Sequence, residues 1–331
     1  FSTRNILFSL PIGGWSWSVS GGQIAGALAI LVLTAVNHIG LREGAAVQNF
    51  LAVFRIGSIV AFVALAFFVD KPASATLTEP LPEINLLTAF GIGMIAALWT
   101  YDGWYGATFS AGEMRDPQRT LPFGIVWGTI IVMALYALIN LVYFVALPLD
   151  AIAETPRIGE TAAAALFGSI GGRLMSFAIL VSTFGCLAAT ILYSPRIYLA
   201  MSRDGVFFRS LGTVDPKFHT PARSLWAQSL WAVVLTLSGT YEQIYTYVIF
   251  GGLLFHAGTA GAVFVLRRKY PDVERPYKVF GYPWVPLLFS LASILLIGNT
   301  LVGKPVESLI GLVFIAAGIP AYLWWRRRPV S

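Results

Sequence analysis

The chain has 331 residues, 57% of them apolar and only 11% charged, with a mean hydropathy of +0.74. Soluble domains carry about 25% charged residues, so the composition excludes a soluble globular protein and assigns an integral membrane protein. The net charge of +6 calls for no nucleic-acid partner, because the sidedness of a membrane protein accounts for it. Crossing the hydrocarbon takes about 20 apolar residues per helix. Nine runs meet this, near 21–39, 46–69, 86–111, 122–146, 172–194, 224–239, 243–266, 283–301 and 305–325. They are continuous rather than alternating, which excludes a β-barrel. The expected fold class is an all-α membrane protein with nine transmembrane helices, a single domain over residues 1–331 with no loop long enough for a soluble one.

Residues 1–20, FSTRNILFSLPIGGWSWSVS, lack the basic segment and the cleavage site of a signal peptide and read as the tail of a preceding helix and an external loop. The chain has no initiating Met, and nine spans with an inner C-terminus put its first residue outside. Both features lead to the expectation of an N-terminally truncated piece. The run at 21–39 carries Gly22-Gln23-Ile24-Ala25-Gly26, a small-xxx-small pattern that allows close helix contact. In the run at 46–69, Arg55 stands about nine residues into the span. A charge at that depth is expensive and calls for a partner in the bundle interior. The alternative is a side chain that snorkels to the inner surface.

The stretch 86–122 is the one around which the chain is organised. It begins as a membrane-grade apolar helix and is interrupted by Tyr101-Asp102-Gly103-Trp104. It then resumes and ends in the charged turn Gly112-Glu113-Met114-Arg115-Asp116-Pro117, closed by Pro122. A helix in lipid keeps its backbone groups bonded within itself, so an Asp-Gly step at mid-depth makes sense where the freed groups face a cavity. Discontinuous transporter helices use such carbonyls and half-helix ends to hold charged solutes.

The run at 122–146 has no mid-depth charge and reads as scaffold. In 172–194, Ser182 and Thr183 either bond their own helix at i−4 or coordinate an ion or substrate. Cys186 reads as a small packing residue. His256 reads as a bonded core histidine, since His38 and His219 fall in loops at other depths and complete no metal site with it. A cytoplasmic C-terminus puts sixteen Lys and Arg on the inner side against five outside, with Arg55 within a span, which satisfies the positive-inside rule. The motifs of metalloproteases, serine esterases, P-loop pumps and thiol redox sites are absent, so the chain reads as no enzyme and needs no cofactor.

Three separated stretches carry a family resemblance: YDGWYGATFSAGEMRDPQRTLP at 101–122, STFGCLAATILYSPRIYLAMSRDG at 182–205 and LRRKYPDVERPYKVFGYPWVPLLF at 266–289. In order and spacing they resemble the sixth span, the eighth span and the link between the tenth and eleventh of the amino acid/polyamine/organocation permeases, on the bacterial and L-amino-acid-transporter-like branch. The resemblance implies the LeuT-like fold, two inverted five-helix repeats with substrate held between the broken first and sixth helices. Residues 21–69 then end the first repeat, 86–268 form the second, 283–325 are two C-terminal spans, and the first three spans are missing.

It further implies secondary transport of amino acids across the plasma membrane, by exchange or proton-coupled uptake. The alternative is a non-transporting amino-acid sensor or scaffold of the same fold. Trp99 matches the family's aromatic gate, the backbone around Trp99, Thr100 and Asp102 matches the carbonyls that receive the α-ammonium, and Tyr101, Gly103 and Trp104 complete the expected substrate-binding stretch. A carbonyl at a half-helix C-terminal end carries part of the dipole's negative charge and suits that role. For Trp99 the plainer reading is packing or interface anchoring. Ser182 and Thr183 match the sodium region of sodium-coupled relatives, and Arg55 aligns with a lysine of sodium-independent members. A buried lysine can lose its proton and a guanidinium effectively cannot, so Arg55 reads as a permanent surrogate cation. Asp102 is left with three roles: pairing with Arg55, binding a cationic substrate group, or carrying a proton. Members that pair with a single-span glycoprotein use a cysteine before the fourth span, and residues 1–20 contain none, so no disulfide-linked accessory subunit is expected.

Overall fold

A computed structural model describes residues 6–12, 15–69, 90, 93–94, 97–238, 241–275, 277–303 and 305–326. Among them, seven helices are long and apolar enough to cross a membrane: Gly21–Ile39, Gly44–Ala66, Pro117–Ala146, Ile158–Arg203, Val248–Lys269, Trp284–Gly303 and Ser308–Arg326. Two of the nine expected runs stand apart. The run near 224–239 folds as the helix Ala222–Ser238, which at 17 residues is short for a span. The run near 86–111 lies partly outside the described residues, and its described part is helical at 90, 93–94 and 97–100 before the chain turns.

Part of residues 1–20, expected as a helix tail and loop, instead forms an antiparallel hairpin of Ile6–Ile12 with Trp15–Ser20. The register runs from Ile12 opposite Trp15 to Ile6 opposite Ser20. The signal is local: WSWSVS alternates apolar residues with serine at period two. Ser20 then starts the first helix with a capping box. Its Oγ accepts from the Gln23 amide at 3.3 Å while Gln23 Oε1 accepts from the Ser20 amide at 2.8 Å.

Small and hydroxylic residues let the inner helices approach. Gln23 Nε2 donates to the Thr236 carbonyl at 2.9 Å, and a Cβ added to Gly26 would lie 3.5 Å from the Thr236 methyl. The small-residue stripe therefore packs on the helix Ala222–Ser238, as expected. Deeper in the same contact, Thr34 Oγ1 lies 2.6 Å from both the Ile30 carbonyl and Ser229 Oγ, with both side chains fully buried. Around them Ile30, Leu33, Leu51, Ala188, Ile191 and Leu225 form a core that joins four helices. At the helix end Trp226 Nε1 donates to His38 Nδ1 at 3.1 Å, which ties the last turn of Gly21–Ile39 to the start of Ala222–Ser238.

A second core lies against the segment between the runs at 122–146 and 172–194. Region 147–171 holds the helix Leu149–Glu154 and the start of Ile158–Tyr193. Ala162 and Ala163 of that start are buried in one cluster with Phe62 and Val142. The long helix kinks at Gly168, where φ of 73° and ψ of −170° favour glycine. Region 195–223 begins with the helix Pro195–Arg203, whose proline occupies the first turn. Farther on, Asp215 accepts from the Lys217 and Phe218 amides at 2.8 and 3.0 Å. Those bonds hold its carboxyl below the usual range.

Candidate binding site at a broken helix

The polypeptide leaves the α-helix where the sequence places Tyr101-Asp102-Gly103-Trp104. Residues 97–100 are helical and 101–105 form a turn, followed by a single helical turn at Gly106–Phe109 and a 3-10 turn at Ala111–Glu113. The Tyr101 amide still bonds the Ala97 carbonyl at 3.1 Å. After it the spacing tightens, with the Asp102 amide to the Trp99 carbonyl at 3.2 Å and the Gly106 amide to the Gly103 carbonyl at 3.0 Å. Gly103 has a φ of +97°, a conformation other residues rarely adopt. The i→i−4 ladder is thus reset, and carbonyl lone pairs near 99–103 are no longer all committed to the helix axis.

Trp99 is half-buried in the last helical turn before the break, whereas Thr100, Tyr101, Asp102 and Trp104 are exposed. Tyr136, from the helix Pro117–Ala146, braces this edge. Its hydroxyl donates to the Thr100 carbonyl at 3.1 Å and its ring meets Tyr101 edge-on at 5.0 Å. That helix reads as scaffold from the sequence because it carries no mid-depth charge; the structure brings its Tyr136 against the break. The signal available was one polar pair, Tyr136 and Asn140, stacked at helical spacing, with Asn140 Nδ2 donating to the Tyr136 carbonyl at 2.7 Å.

In the second cluster of predicted residues, half-buried Arg55 donates from Nη1 to Cys186 Sγ at 3.0 Å, which links the helices Leu41–Ala66 and Ile158–Tyr193. Gly185 makes room for it: an added Cβ would lie 3.1 Å from Leu51 Cβ and 3.5 Å from Arg55 Nη2. Cys186, expected as packing, is exposed and serves as Arg55's acceptor. Ser182 lies one turn before Cys186 and is half-buried, while Thr183 Oγ1 donates to the Ile179 carbonyl at 2.9 Å, the ordinary intrahelical use.

Asp102 Oδ2 accepts from the Tyr105 hydroxyl at 3.4 Å. The ion pairs among the described residues are Arg157–Glu160 and Arg196–Glu113, so Asp102 and Arg55 are not paired with each other. His256 comes to the break rather than to a closed core, with its ring 5.0 Å from Tyr105 and 5.7 Å from Trp104. Among the described residues, no three His, Cys, Asp or Glu side chains gather to hold a metal. The site instead offers carbonyl oxygens, one carboxylate and aromatic faces, which suit a small solute carrying an ammonium group.

Comparison with known proteins agrees with this chemistry. A family model described as amino acid permease matches residues 5–323. The chain is 31% identical over 330 residues to the serine/threonine exchanger SteT of Bacillus subtilis, covering 98% of this chain and 74% of that one. It is 27% identical over 307 residues to the b(0,+)-type amino acid transporter 1 of Mus musculus, covering 91% and 62%. To the cystine/glutamate transporter of Homo sapiens it is 23% identical over 308 residues, covering 92% and 61%. The chain therefore spans about three fifths of the length of these mammalian relatives. With matches along nearly its whole length to a family of carriers rather than enzymes, the chain belongs to the amino acid permease family.

Proposed function

We propose that this chain is the larger part of a secondary carrier that moves amino acids across the plasma membrane by alternating access. The observation that carries the reading is the turn at 101–105 within an apolar segment, flanked by helix on one side and a single helical turn on the other. The α-ammonium of the substrate is received by main-chain oxygens around Trp99, Thr100 and Asp102, with Trp99 as the gate over it. Arg55 holds a fixed positive charge beside Ser182 and Thr183, where a coupled cation would otherwise sit. The likeness to a serine/threonine exchanger favours exchange of neutral amino acids over proton-coupled uptake. The family resemblance supports reading the nine apolar runs as the fourth to twelfth spans of a LeuT-like fold, and the distribution of Lys and Arg supports a cytoplasmic C-terminus.

The test is counterflow of labelled amino acids by the full-length protein in liposomes. Saturable counterflow is expected. Binding without flux would overturn the carrier reading and point to a sensor. Two substitutions test the residue roles. Trp99→Ala is expected to slow exchange about tenfold or more with little change in the amount of folded protein, because a gate acts on the loaded carrier; equal loss of both would return Trp99 to packing. Tyr136→Phe removes the donor to the Thr100 carbonyl. A neutral hydrogen bond contributes about 1 kcal/mol, so KM is expected to change about fivefold with yield preserved. An unchanged KM would remove Tyr136 from the site.

A further inference from the structure

The segment after the break is fastened at three points, two on Tyr193 at the end of the helix Ile158–Tyr193 and one on the helix Pro195–Arg203 that follows it. Gly106 is buried so closely on the Tyr193 ring that a Cβ there would lie 2.7 Å from Tyr193 Cε1. Phe109 meets the same ring at 5.8 Å between centroids. Farthest from the break, Arg196 grips Glu113 in a two-point fork, Nε to Oε1 at 2.8 Å and Nη2 to Oε2 at 2.7 Å. Such bidentate charged pairs are strong and orientation-specific.

The burial of this pair is unequal: the Arg196 side chain is 8% exposed and that of Glu113 46%. Arg196 Nη1 also donates to the Leu192 carbonyl. Parting a fully buried ion pair strands a charge and is strongly unfavourable. Parting this one leaves a single buried charge, that of Arg196. Glu113 is already nearly half exposed, and Arg196 keeps the Leu192 carbonyl near a helix C-terminus, where a cation is favoured. The carboxylate is carried on a short link rather than a long helix. It sits on the 3-10 turn Ala111–Glu113, beside Gly112 with open space around it and shortly before Asp116, whose φ is 47°.

Resting on the carrier reading above, we propose that Glu113 and Arg196 form a releasable latch. Closed, it sets the position of the turns Gly106–Phe109 and Ala111–Glu113, and hence of residues 101–105, against the junction of the helices Ile158–Tyr193 and Pro195–Arg203; it opens once in each transport cycle. Both are positioning residues and neither touches the substrate.

The test uses the full-length carrier in liposomes with Glu113→Cys and Arg196→Cys combined, joined by a short thiol-reactive linker that reductant cleaves. Linking is expected to slow exchange about tenfold or more, as for a blocked gating step, and cleavage to restore it. Each single-cysteine variant, treated identically, keeps its own rate and so controls for Cys186. A linked carrier that exchanges at the unlinked rate would overturn the latch. If the double cysteine variant folds poorly, the charge exchange Glu113→Arg with Arg196→Glu takes its place. It is expected to recover most of the exchange lost in Glu113→Arg alone, and no recovery overturns the proposal. Absence of counterflow in the unsubstituted protein would instead refute the carrier reading, and that arm is read by itself.

Discussion

Gly103→Val is expected to slow amino-acid exchange by about tenfold to a hundredfold while the carrier still folds. The reason lies in the backbone. Gly103 has a φ of +97°, and nothing stands within 4 Å of an added Cβ, so the substitution meets open space but an unfavourable dihedral. A β-branched residue held there costs about 1–3 kcal/mol, and each 1.4 kcal/mol is a factor of ten in an equilibrium. The chain relieves that strain by moving toward helical dihedrals, which withdraws the carbonyls of 99–103 from the site. Gly128→Ala, in the helix Pro117–Ala146, is the control: it has no positive φ and no close neighbour. Exchange by Gly103→Val at the rate of the unsubstituted carrier would show that the turn conformation is dispensable.

Arg55→Lys is expected to make transport depend on pH where the unsubstituted carrier does not. Arg55 reaches Cys186 Sγ beside Gly185, linking two helices, and the proposed role gives it the place of a coupled cation. A guanidinium keeps its charge throughout the accessible range, whereas a lysine ammonium away from water can be lost. If a fixed positive charge is what the site needs, the lysine variant works at low pH, where the amine is protonated, and fails progressively as pH rises. The measurement is the initial rate of counterflow between mildly acidic and mildly alkaline buffers. A flat profile in the variant would remove Arg55 from the coupling argument.

The membrane helices were legible because lipid imposes one rule on each of them: every backbone group bonded internally and an apolar surface outside. The break was legible for the complementary reason, since Asp102-Gly103 makes no sense in an uninterrupted span. Other features escaped. The hairpin Ile6–Ile12 with Trp15–Ser20 is a period-two pattern at the margin of a chain read for long apolar runs. Ala162 and Ala163 lie in a stretch too polar overall for a span, yet they pack a helical cap onto Phe62 and Val142. Tyr136 and His256 reached the break by tertiary contact across more than thirty residues of sequence, 136 against 100 and 256 against 105, and hydropathy carries no information about that pairing. Cys186 looked like packing because the nitrogen that seeks its sulfur belongs to another helix.

The central claim is that the unwound residues 101–105 and the carbonyls beside them receive the ammonium of an amino acid. The most direct test is a structure of the full-length carrier with a transported amino acid bound. The account predicts the α-nitrogen within about 2.7–3.2 Å of main-chain oxygens among Trp99, Thr100 and Asp102. An amino acid bound elsewhere, or a continuous α-helix running through Tyr101 to Tyr105 in the loaded carrier, would contradict it.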